Sequence, residues 1–547
     1  MREASDIRAR TALLRSSFAP GDSEFSIALK RPAEAQQERL FSILQRGANC
    51  HYGRAYGLGR IRSVRDFQAA LPVVTYEDLK PWVERILDRE DNVITSDPVL
   101  LMERTSGSTS AAKYIPYTGG LFAEFQAALE PWLGNLFTVY PGLLRGTVYW
   151  QVTPLAQAPE RTRGGIPIGL GMEAAYFTPP QQRLLSGLLS VPAEIAEVAD
   201  IESSFYVTLF FLLRDQNLSL VSVWNPGLFS ILLHRAREWC GLLVRDIHDG
   251  EIRRAHLPAT IPRKQFALPA RAREIERCLD QDAVRLRDLW PLLSVVSCWG
   301  DAEAAPEFQQ LARKFPEVAF QKKGLLATEG VISIPRDGAG NVAAIVSHFL
   351  EFLDDQGRPH LVHEVEPGAA YSVVMTTSGG LWRYRLGDRV RVTGFLGDTP
   401  LLEFLGKENG VCDLRGEKLN PAFVGSVLGE LRRELLLPAG FAMLVPSRTP
   451  AAGYLLLLEQ SCSALLADAL DDKLRTNPQY AYARNLGQIT APRVIACGPH
   501  AAERYLERCV VLGQRAGDVK PTALHPADGW EDWFLAPGQV NPGRMRA

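Results

Sequence analysis

The sequence has 547 residues, of which 22% are charged and 46% belong to the hydrophobic set. A chain of this length forms several domains and encloses a core large enough for a small-molecule site. Its 60 basic and 62 acidic residues give a formal net charge of -2 at pH 7. This balance excludes the global positive field that attracts nucleic acid or an anionic membrane surface. The longest apolar stretches, such as Val207–Leu213, are too short to span a bilayer, so we expect a cytoplasmic protein.

The cysteines and histidines give no sign of a disulfide framework or of a zinc site. The eight cysteines are scattered and form no CxxC pair. His360 and His363 lie close together in the sequence, but no cysteine or histidine cluster accompanies them. We therefore expect reduced thiols and histidines without a zinc-binding role.

The first predicted element with a chemical role is the segment Arg104–Lys113, which follows the apolar run Val99–Met102. It reads Arg-Thr-Ser-Gly-Ser-Thr-Ser-Ala-Ala-Lys and gathers hydroxyl side chains around Gly107. Hydroxyl and backbone N–H groups donate to phosphate oxygens, glycine allows close approach of the backbone, and lysine supplies positive charge. The segment therefore predicts a phosphate-binding loop, with a polar surface turn as the alternative.

Three better-known motifs do not account for this loop or its surroundings. A Walker loop beginning at Gly107 would have Ala112 at its second glycine and Tyr114 at its magnesium-binding hydroxyl. Gly169 and Gly171 lack the third glycine of a dinucleotide fingerprint, and no GxSxG elbow occurs. A P-loop NTPase, a Rossmann dehydrogenase and an α/β-hydrolase are therefore disfavoured.

The middle of the chain alternates between strand and helix patterns. Strands are predicted at Leu218–Trp224, Leu293–Cys298 and Val318–Gln321, and helices at Leu228–Cys240 and Glu303–Phe315. This alternation is typical of a parallel sheet covered by helices.

The segment Gly324–Gly330 follows the last of these strands, and ligands of α/β sheets usually bind beyond strand ends. It contains Thr328 and Glu329, a hydroxyl beside a carboxylate. Hard cations prefer oxygen ligands, so Glu329 is a candidate for Mg²⁺ and Thr328 for a phosphate group. The start of a capped helix explains the same dipeptide equally well.

The region from Tyr371 to Phe395 has a pattern of short strands and glycine turns. We predict a strand at Tyr371–Met375, a turn at Gly379–Gly380, and two further strands separated by a second turn at Gly387–Asp388. The carboxylate of Asp388 is suited to accept the hydroxyls of a ribose, although most Gly-Asp turns are structural. The region predicts a β-rich end to the large domain.

A change of composition near Gly406 predicts a hinge, after which a helical pattern starts near Pro421. The chain beyond it has about the size of one ordinary domain. Its segment Gly513–Pro521 presents Lys520 on a glycine-rich turn. Considered alone, Lys520 is most simply interpreted as a charged residue on the surface.

In this order, the loop, the Thr-Glu dipeptide, Asp388, the hinge and Lys520 resemble the acyl-adenylate-forming superfamily. A more specific resemblance is to the auxin-responsive Gretchen Hagen family of acyl acid amido synthetases. It rests on Glu364–Gly368 (EVEPG), on Tyr371 and on the run Ser378–Phe395 (SGGLWRYRLGDRVRVTGF). Phe205–Pro226 and Trp299–Asp301 (WGD) extend the likeness over nearly the whole chain.

The resemblance implies ATP and Mg²⁺ as cofactors and a role for each motif. The loop, with Gly107, would bind the phosphates, Gly300 would border the adenine, Thr328 would contact the α-phosphate, Glu329 would bind the metal and Asp388 the ribose. Lys418 is similar to the lysine that follows the hinge in this family, and Lys520 to its late catalytic lysine. The phosphate contacts would come from Ser106, Ser108 and Thr109.

The resemblance also implies an α/β fold with a large N-terminal α/β domain that has a β-rich end, and a smaller, mobile C-terminal α+β domain. We place these domains at residues 1–405 and 421–547, with the hinge at 406–420. The expected activity is ATP-dependent formation of an acyl-adenylate, followed by transfer of the acyl group to an amine, for which we expect an amino acid. An acyl-CoA ligase and a non-catalytic nucleotide-binding protein remain the alternatives.

Overall fold

The structure is a computed structural model whose internal contacts divide the chain into two compact units. Unit 1 contains residues 1–107, 111–301 and 305–404, and unit 2 contains 108–110, 302–304 and 405–547. Within these ranges the described residues are 4–105, 113–151, 160–169, 173–198, 200–281, 284–336, 338–408, 412, 414–415, 417–434, 437, 440–448, 451–461, 465–512, 514, 519–527 and 529–535.

The helices of unit 1 precede, alternate with and cover its strands. They are α1 (Ala4–Ala28), α2 (Pro32–Gly47), α3 (His51–Ala55), α4 (Val64–Ala70), α5 (Tyr76–Leu87), α6 (Gly119–Val139), α7 (Pro179–Ser186), α8 (Ile201–Arg214), α9 (Pro226–Glu238), α10 (Cys240–Asp249), α11 (Pro269–Leu279), α12 (Leu286–Leu289) and α13 (Ala305–Lys314). Helix α6 begins where the Thr118 hydroxyl accepts the N–H of Leu121 at 3.1 Å, which satisfies one of its unpaired amide groups.

The strands of unit 1 form several sheets. They are β1 (Val99–Arg104), β2 (Tyr114–Thr118), β3 (Thr147–Trp150), β4 (Glu160–Arg161), β5 (Pro167–Ile168), β6 (Leu218–Ser222), β7 (Val295–Cys298), β8 (Ala319–Lys322), β9 (Leu326–Ala327), β10 (Gly330–Val331), β11 (Ser333–Arg336), β12 (Gly340–Ala343), β13 (Phe349–Leu353), β14 (Pro359–Leu361), β15 (Ala370–Thr376), β16 (Tyr384–Leu396) and β17 (Thr399–Lys407).

A parallel sheet with the strand order β3-β6-β7-β8 lies in the middle of unit 1. Its two central strands, β6 and β7, are entirely buried, as expected for a parallel sheet covered by helices. The side chains of α8 to α11 and α13 join them in one apolar core that includes Phe210, Leu232 and Val296. The alternation of strands and helices predicted for this part of the chain is confirmed.

The β-rich part of unit 1 is a sheet with the order β11-β12-β17-β16-β15-β13-β14. Strand β15 runs antiparallel to both β13 and β16, and the inward side chains of these strands share a core with α1, α2 and α6. The prediction of a turn at Gly387–Asp388 is wrong, because both residues lie inside the single strand β16. The connection between β15 and β16 is Thr377–Arg383, which contains the predicted turn at Gly379–Gly380.

Gly387 and Asp388 form a bulge in β16. Between the pairs Val374–Arg385 and Ser372–Arg389, strand β16 has three residues where β15 has one. Gly387 has a φ of +81°, a left-handed conformation that glycine adopts at little cost. A bulge therefore replaces the predicted turn and changes the direction of the side chains around Asp388.

A further sheet of unit 1 has the order β2-β1-β5-β4, in which β1 runs antiparallel to β2 and parallel to β5. The short strands β9 and β10 form a hairpin whose pairing joins Ala327 to Gly330. This pairing leaves Thr328 and Glu329 as the two residues of the turn.

Unit 2 is an α+β unit. Its helices are α14 (Pro421–Arg433), α15 (Leu466–Leu474), α16 (Pro478–Asn485), α17 (Ala501–Val511) and α18 (Trp530–Leu535), and its strands are β18 (Ala442–Ser447), β19 (Gly453–Leu458) and β20 (Arg493–Ala496). Strand β19 lies between β18, which is antiparallel to it, and β20, which is parallel. Leu428, Leu456 and Leu470 belong to its apolar core.

The two units correspond to the predicted large α/β and small α+β parts of the chain. The division falls between Phe404 and Leu405, inside β17, and Gly406 in the same strand has a φ of +125°. A hinge at 406–420 stays a prediction. Within the described ranges, none of the helices combines the length and apolar character needed to cross a membrane.

Candidate active site

The predicted phosphate loop connects β1 to β2. At its base, Arg104 pairs with Tyr114, and the N–H of Thr105 donates to the carbonyl of Lys113 at 3.0 Å. The predicted phosphate ligands Ser106, Gly107, Ser108 and Thr109 lie outside the described residues. Lys113, the last residue of the motif, is described, and its contacts are therefore known.

Lys113 is connected to Glu329 through the hydroxyl of Tyr384. The Lys113 ammonium donates to the Tyr384 oxygen at 3.3 Å, and the Tyr384 hydroxyl donates to Glu329 Oε1 at 3.5 Å. The same ammonium lies 5.7 Å from the centre of the Tyr76 ring and 5.9 Å from that of Tyr384. Two residues predicted from separate motifs therefore lie in one polar chain.

Glu329 occupies the two-residue turn between β9 and β10 and is buried. The turn is held from the other side by Tyr117, whose hydroxyl donates to the Thr328 carbonyl at 2.7 Å. The Tyr117 hydroxyl also lies 3.2 Å from that of Tyr176. The alternative interpretation of this dipeptide, the start of a capped helix, is wrong, because the dipeptide forms a hairpin turn.

Burial raises the pKa of Tyr384 well above its ordinary value, and the negative charges of Glu329 and Asp388 raise it further. Tyr384 therefore keeps its proton and acts as a hydrogen-bond donor toward Glu329. Because both carboxylates act on the same hydroxyl, Asp388 lies in the same part of unit 1 as Glu329. Asp388 is itself only 2% exposed and follows the left-handed Gly387 of the bulge.

Gly300 lies beyond the carboxyl end of β7, in the parallel sheet. A Cβ atom on this residue would lie 2.6 Å from Lys322 Cγ and 2.9 Å from the Phe308 ring, so only glycine fits without a shift. The preceding residue, Trp299, donates its N–H to the Trp224 carbonyl at 2.8 Å. Gly300 thus belongs to the strand-end edge where ligands of parallel sheets usually bind.

A buried lysine at the same edge was not recognised from the sequence. The ammonium of Lys323 lies 4.1 Å from the centre of the Trp224 ring and 5.8 Å from the rings of Trp132 and Trp150. These indoles come from α6 and from the carboxyl ends of β3 and β6, elements far apart in the sequence. No local pattern indicates that they meet around one cation.

The two predicted lysines of the late motifs lie in unit 2. Lys418 is exposed, has a φ of +47°, and follows Glu417, whose buried carboxylate accepts the N–H groups of Leu414 and Arg415 at 2.6 and 2.7 Å. Lys520 is half-buried, and its carbonyl accepts the Tyr505 hydroxyl at 2.6 Å. The catalytic roles of both lysines stay predictions.

Unit 1 therefore brings together Thr328, Glu329, Asp388 and the base of the phosphate loop, with Tyr384 as the connecting residue. Tyr384 lies within the run Ser378–Phe395, and the sequence alone assigns it no role. Its position four residues before Asp388, near the start of a strand, is the signal that could have indicated one. Tyr76 and Tyr117 carry no such signal.

The arrangement suits a magnesium-bound nucleotide. Glu329 offers a hard oxygen ligand, Lys113 offers positive charge for phosphate oxygens, and Asp388 offers acceptors for ribose hydroxyls. Glu329 and Asp388 are buried, and the low dielectric constant of their surroundings strengthens their interactions with a charged ligand. The donor set thus fits the group that the sequence predicts.

Family models cover most of the chain. The model of the GH3 family N-terminal domain matches residues 22–320, and that of the GH3 family central domain matches residues 342–407. The second match contains strands β13 to β17 of the β-rich sheet and Asp388. The chain belongs to the GH3 family, as the resemblance in its motifs predicted.

Curated relatives and solved structures agree with this assignment. The indole-3-acetic acid-amido synthetase GH3.2 of Arabidopsis thaliana is 25% identical over 427 residues, covering 72% of this chain and 77% of that protein. The structure of the AtGH3.15 acyl acid amido synthetase in complex with 2,4-DB has a TM-score of 0.80 at 18% identity and covers 98% and 96% of the two chains.

A more distant likeness is to 2-hydroxyisobutyryl-CoA ligase in its postadenylation state. The TM-score is 0.53 at 14% identity, with 87% of each chain covered, which shows a shared fold. The predicted α/β fold is confirmed by these likenesses. The prediction of an amido synthetase enzyme is confirmed at the level of the family.

Proposed function

We propose that this protein activates a carboxylic acid with ATP as an enzyme-bound acyl-adenylate and transfers the acyl group to an amine, such as that of an amino acid. The observation that carries the proposal is the chain from Lys113 through Tyr384 to Glu329, which joins the base of the phosphate loop to the candidate magnesium ligand. Membership of the GH3 family supports the same conclusion.

In the first half-reaction, a substrate carboxylate attacks the α-phosphorus of ATP. The bond to the β-phosphate breaks, pyrophosphate leaves, and a mixed anhydride of the acid and AMP forms. Lys113 stabilises the phosphate charge, Asp388 binds the ribose, and Thr328 donates to the α-phosphate. Mg²⁺, held by Glu329, would neutralise the charge that moves onto the leaving pyrophosphate.

Tyr384 holds Lys113 and Glu329 in a fixed relative position. Because its pKa is raised, the hydroxyl stays protonated and directs its hydrogen toward Glu329 while its oxygen accepts from Lys113. The residue thereby fixes the distance between the metal ligand and the phosphate-binding cation. Such fixed donors stabilise developing charge without reorganising during the reaction.

In the second half-reaction, the amine nitrogen attacks the acyl carbon of the adenylate. The bond to AMP breaks, an amide forms, and the nitrogen loses a proton. Lys520 and Lys418 of unit 2 are the proposed catalytic lysines. Residues 406–420 are the proposed hinge. Exclusion of water would protect the anhydride between the two steps.

An acyl-CoA ligase is the second candidate, because 2-hydroxyisobutyryl-CoA ligase shares the fold. The experiment that separates the two functions supplies the protein with MgATP and a panel of aryl, indolyl, fatty and hydroxy acids. Each acid is combined either with a mixture of amino acids or with coenzyme A, and AMP and acyl products are measured by mass spectrometry.

We expect AMP release to rise with amino acids and an amide of the added acid to appear. Stimulation by coenzyme A alone, with a thioester as the product, would replace the proposed function with the second candidate. Nucleotide binding without AMP release from any acid would favour a non-catalytic nucleotide-binding protein.

A further inference from the structure

Arg383, the residue directly before Tyr384, has an unusual backbone conformation. Its φ is +45°, in the left-handed region that side chains with a Cβ atom rarely adopt. A Cβ atom crowds the backbone in this region, so a non-glycine residue there is strained. Such strain persists where the surrounding structure enforces it, which is common near functional sites.

The Arg383 side chain is buried and bonded to two different elements. Its Nε and Nη2 atoms donate to the two carboxylate oxygens of Glu351 on β13, each at 2.9 Å. Its Nη1 atom donates to the carbonyls of Leu71 at 2.6 Å and Gln68 at 3.1 Å, at the end of α4. The guanidinium therefore joins a strand of the β-rich sheet to the end of a helix.

The backbone of Arg383 is also fixed on both sides. Its N–H donates to the Thr376 hydroxyl at 3.0 Å, and its carbonyl accepts the N–H of Val74 at 3.0 Å. The Val74 carbonyl in turn accepts the N–H of Arg385 at 2.8 Å. These contacts enclose Tyr384 between two bonded neighbours at the point where β16 begins.

We propose that Arg383 is a positioning residue for the adenylation site: its buried pairing with Glu351 holds Tyr384 in the orientation that connects Lys113 to Glu329. Arg383 acts through Tyr384 and does not contact the substrates. The inference rests on the proposed function, because the effect of this orientation is on the adenylation step.

Lysine cannot replace arginine here, because a single ammonium cannot pair with both oxygens of Glu351 and also reach the Leu71 and Gln68 carbonyls. The test compares wild type with R383K, E351Q, Y384F and the double variant R383K/Y384F. The matched control is R391K, because Arg391 is an exposed arginine in β16, the strand that follows Arg383, and pairs with Glu403 on the surface. Acid-dependent ATP–pyrophosphate exchange and thermal unfolding are measured for each protein.

We expect R383K to lower the exchange kcat by about 10- to 100-fold, with the KM for MgATP within about threefold of wild type. E351Q should act in the same direction, and it serves as the test if R383K does not fold. In the Y384F background, R383K should lower kcat by less than about twofold further, because both changes remove the same contact. R391K should behave as wild type.

Two outcomes would overturn the inference. One is that folded R383K and E351Q exchange at the wild-type rate and only unfold at a lower temperature, which a purely structural role predicts. The other is that the losses of R383K and Y384F multiply in the double variant. Absence of exchange in the wild type with every acid would instead reject the proposed function, and with it the inference.

Discussion

At the scale of single residues, Asp388 combines nearly complete burial with a position in a strand bulge, four residues after Tyr384. A buried carboxylate gives strong hydrogen bonds to ligand hydroxyls, because charged acceptors bind more strongly than neutral ones. Its role as the ribose ligand can be separated from its role in folding.

The variant D388N keeps the size of the side chain and removes its charge. Since hydrogen bonds to charged groups contribute about 1.5–3 kcal/mol, we expect the dissociation constant of MgATP to rise by about 10- to 100-fold. Calorimetric titration of MgATP measures this effect. D398N, a change at an exposed aspartate just beyond the same strand, is the control. Unchanged MgATP affinity in folded D388N would remove Asp388 from the site.

His525 gives unit 2 a pH-dependent stability. Its ring is buried beside Trp530, and burial together with the charge of Arg508 lowers its pKa to about 4. In the unfolded chain the pKa is near 6.5, so the stabilisation is present above that pH and is lost as the pH falls toward 4. The native ring is neutral, and its Nδ1 accepts the N–H of Ala527 at 3.2 Å.

We expect the free energy of unfolding to fall by about 2 kcal/mol between pH 7.5 and pH 5.0 through this residue. Urea unfolding followed by circular dichroism at both pH values measures it. The difference should shrink in H525Q and persist in H500Q, which changes an exposed histidine of the same unit. An equal pH dependence in wild type and H525Q would contradict this assignment.

At the scale of elements, the bulge in β16 determines how the strand presents Asp388. An alanine at Gly387 would have to adopt a φ of +81°, which costs about 1–2 kcal/mol or shifts the bulge. We expect G387A to weaken MgATP binding more than its loss of stability alone explains. Binding titrations and thermal unfolding measure the two effects separately.

The control for this variant is G394A in the same strand. A Cβ atom there would meet only Leu401 Cδ1 at 3.9 Å, an ordinary contact. G394A should therefore bind MgATP as the wild type does. If G387A binds MgATP with wild-type affinity, the bulge does not position the ribose ligand.

Elements with a strong local pattern were predictable, and contacts between distant segments were not. Strand β7, helix α13 and strand β8 match the apolar runs and helical composition around Leu293–Gln321. The sequence predicts a turn at Gly387–Asp388, because Gly-Asp is typical of turns. Only the pairing of β16 with β15 shows that the strand continues through a bulge.

In the candidate site, too, local motifs were predictable and contacts between distant residues were not. The motifs predicted Glu329 and Asp388, because carboxylates beside hydroxyl or glycine residues have a recognisable chemistry. The contacts of Tyr384 with Lys113, of Arg383 with Glu351 and of Lys323 with its tryptophans join residues that no sequence period relates. Only the folded chain brings these pairs together.

At the scale of the whole molecule, the proposed nucleotide ligands among the described residues lie in unit 1 and the two proposed catalytic lysines in unit 2. This separation predicts that binding and turnover respond differently to changes in unit 2. The variant K520A should bind MgATP within about threefold of wild type, yet lose about 100-fold or more in the rate of adenylation.

Binding titrations and single-turnover formation of the acyl-adenylate measure these two effects. K473A is the control in the same unit, because Lys473 pairs with Glu430 and Glu434 at 3.1 and 2.8 Å on α14 and its C-terminal end. A K520A protein that forms the adenylate at the normal rate would remove Lys520 from the mechanism.

The proposed function requires that the protein makes an acyl-adenylate before any acceptor is present. The most direct measurement is exchange of labelled pyrophosphate into ATP, with an acid panel and without amine or coenzyme A. We predict exchange that depends on both Mg²⁺ and a particular acid, and that falls in Y384F but not in Y206F, a buried tyrosine bonded to Asp246. Bound MgATP without exchange for any acid would contradict the claim.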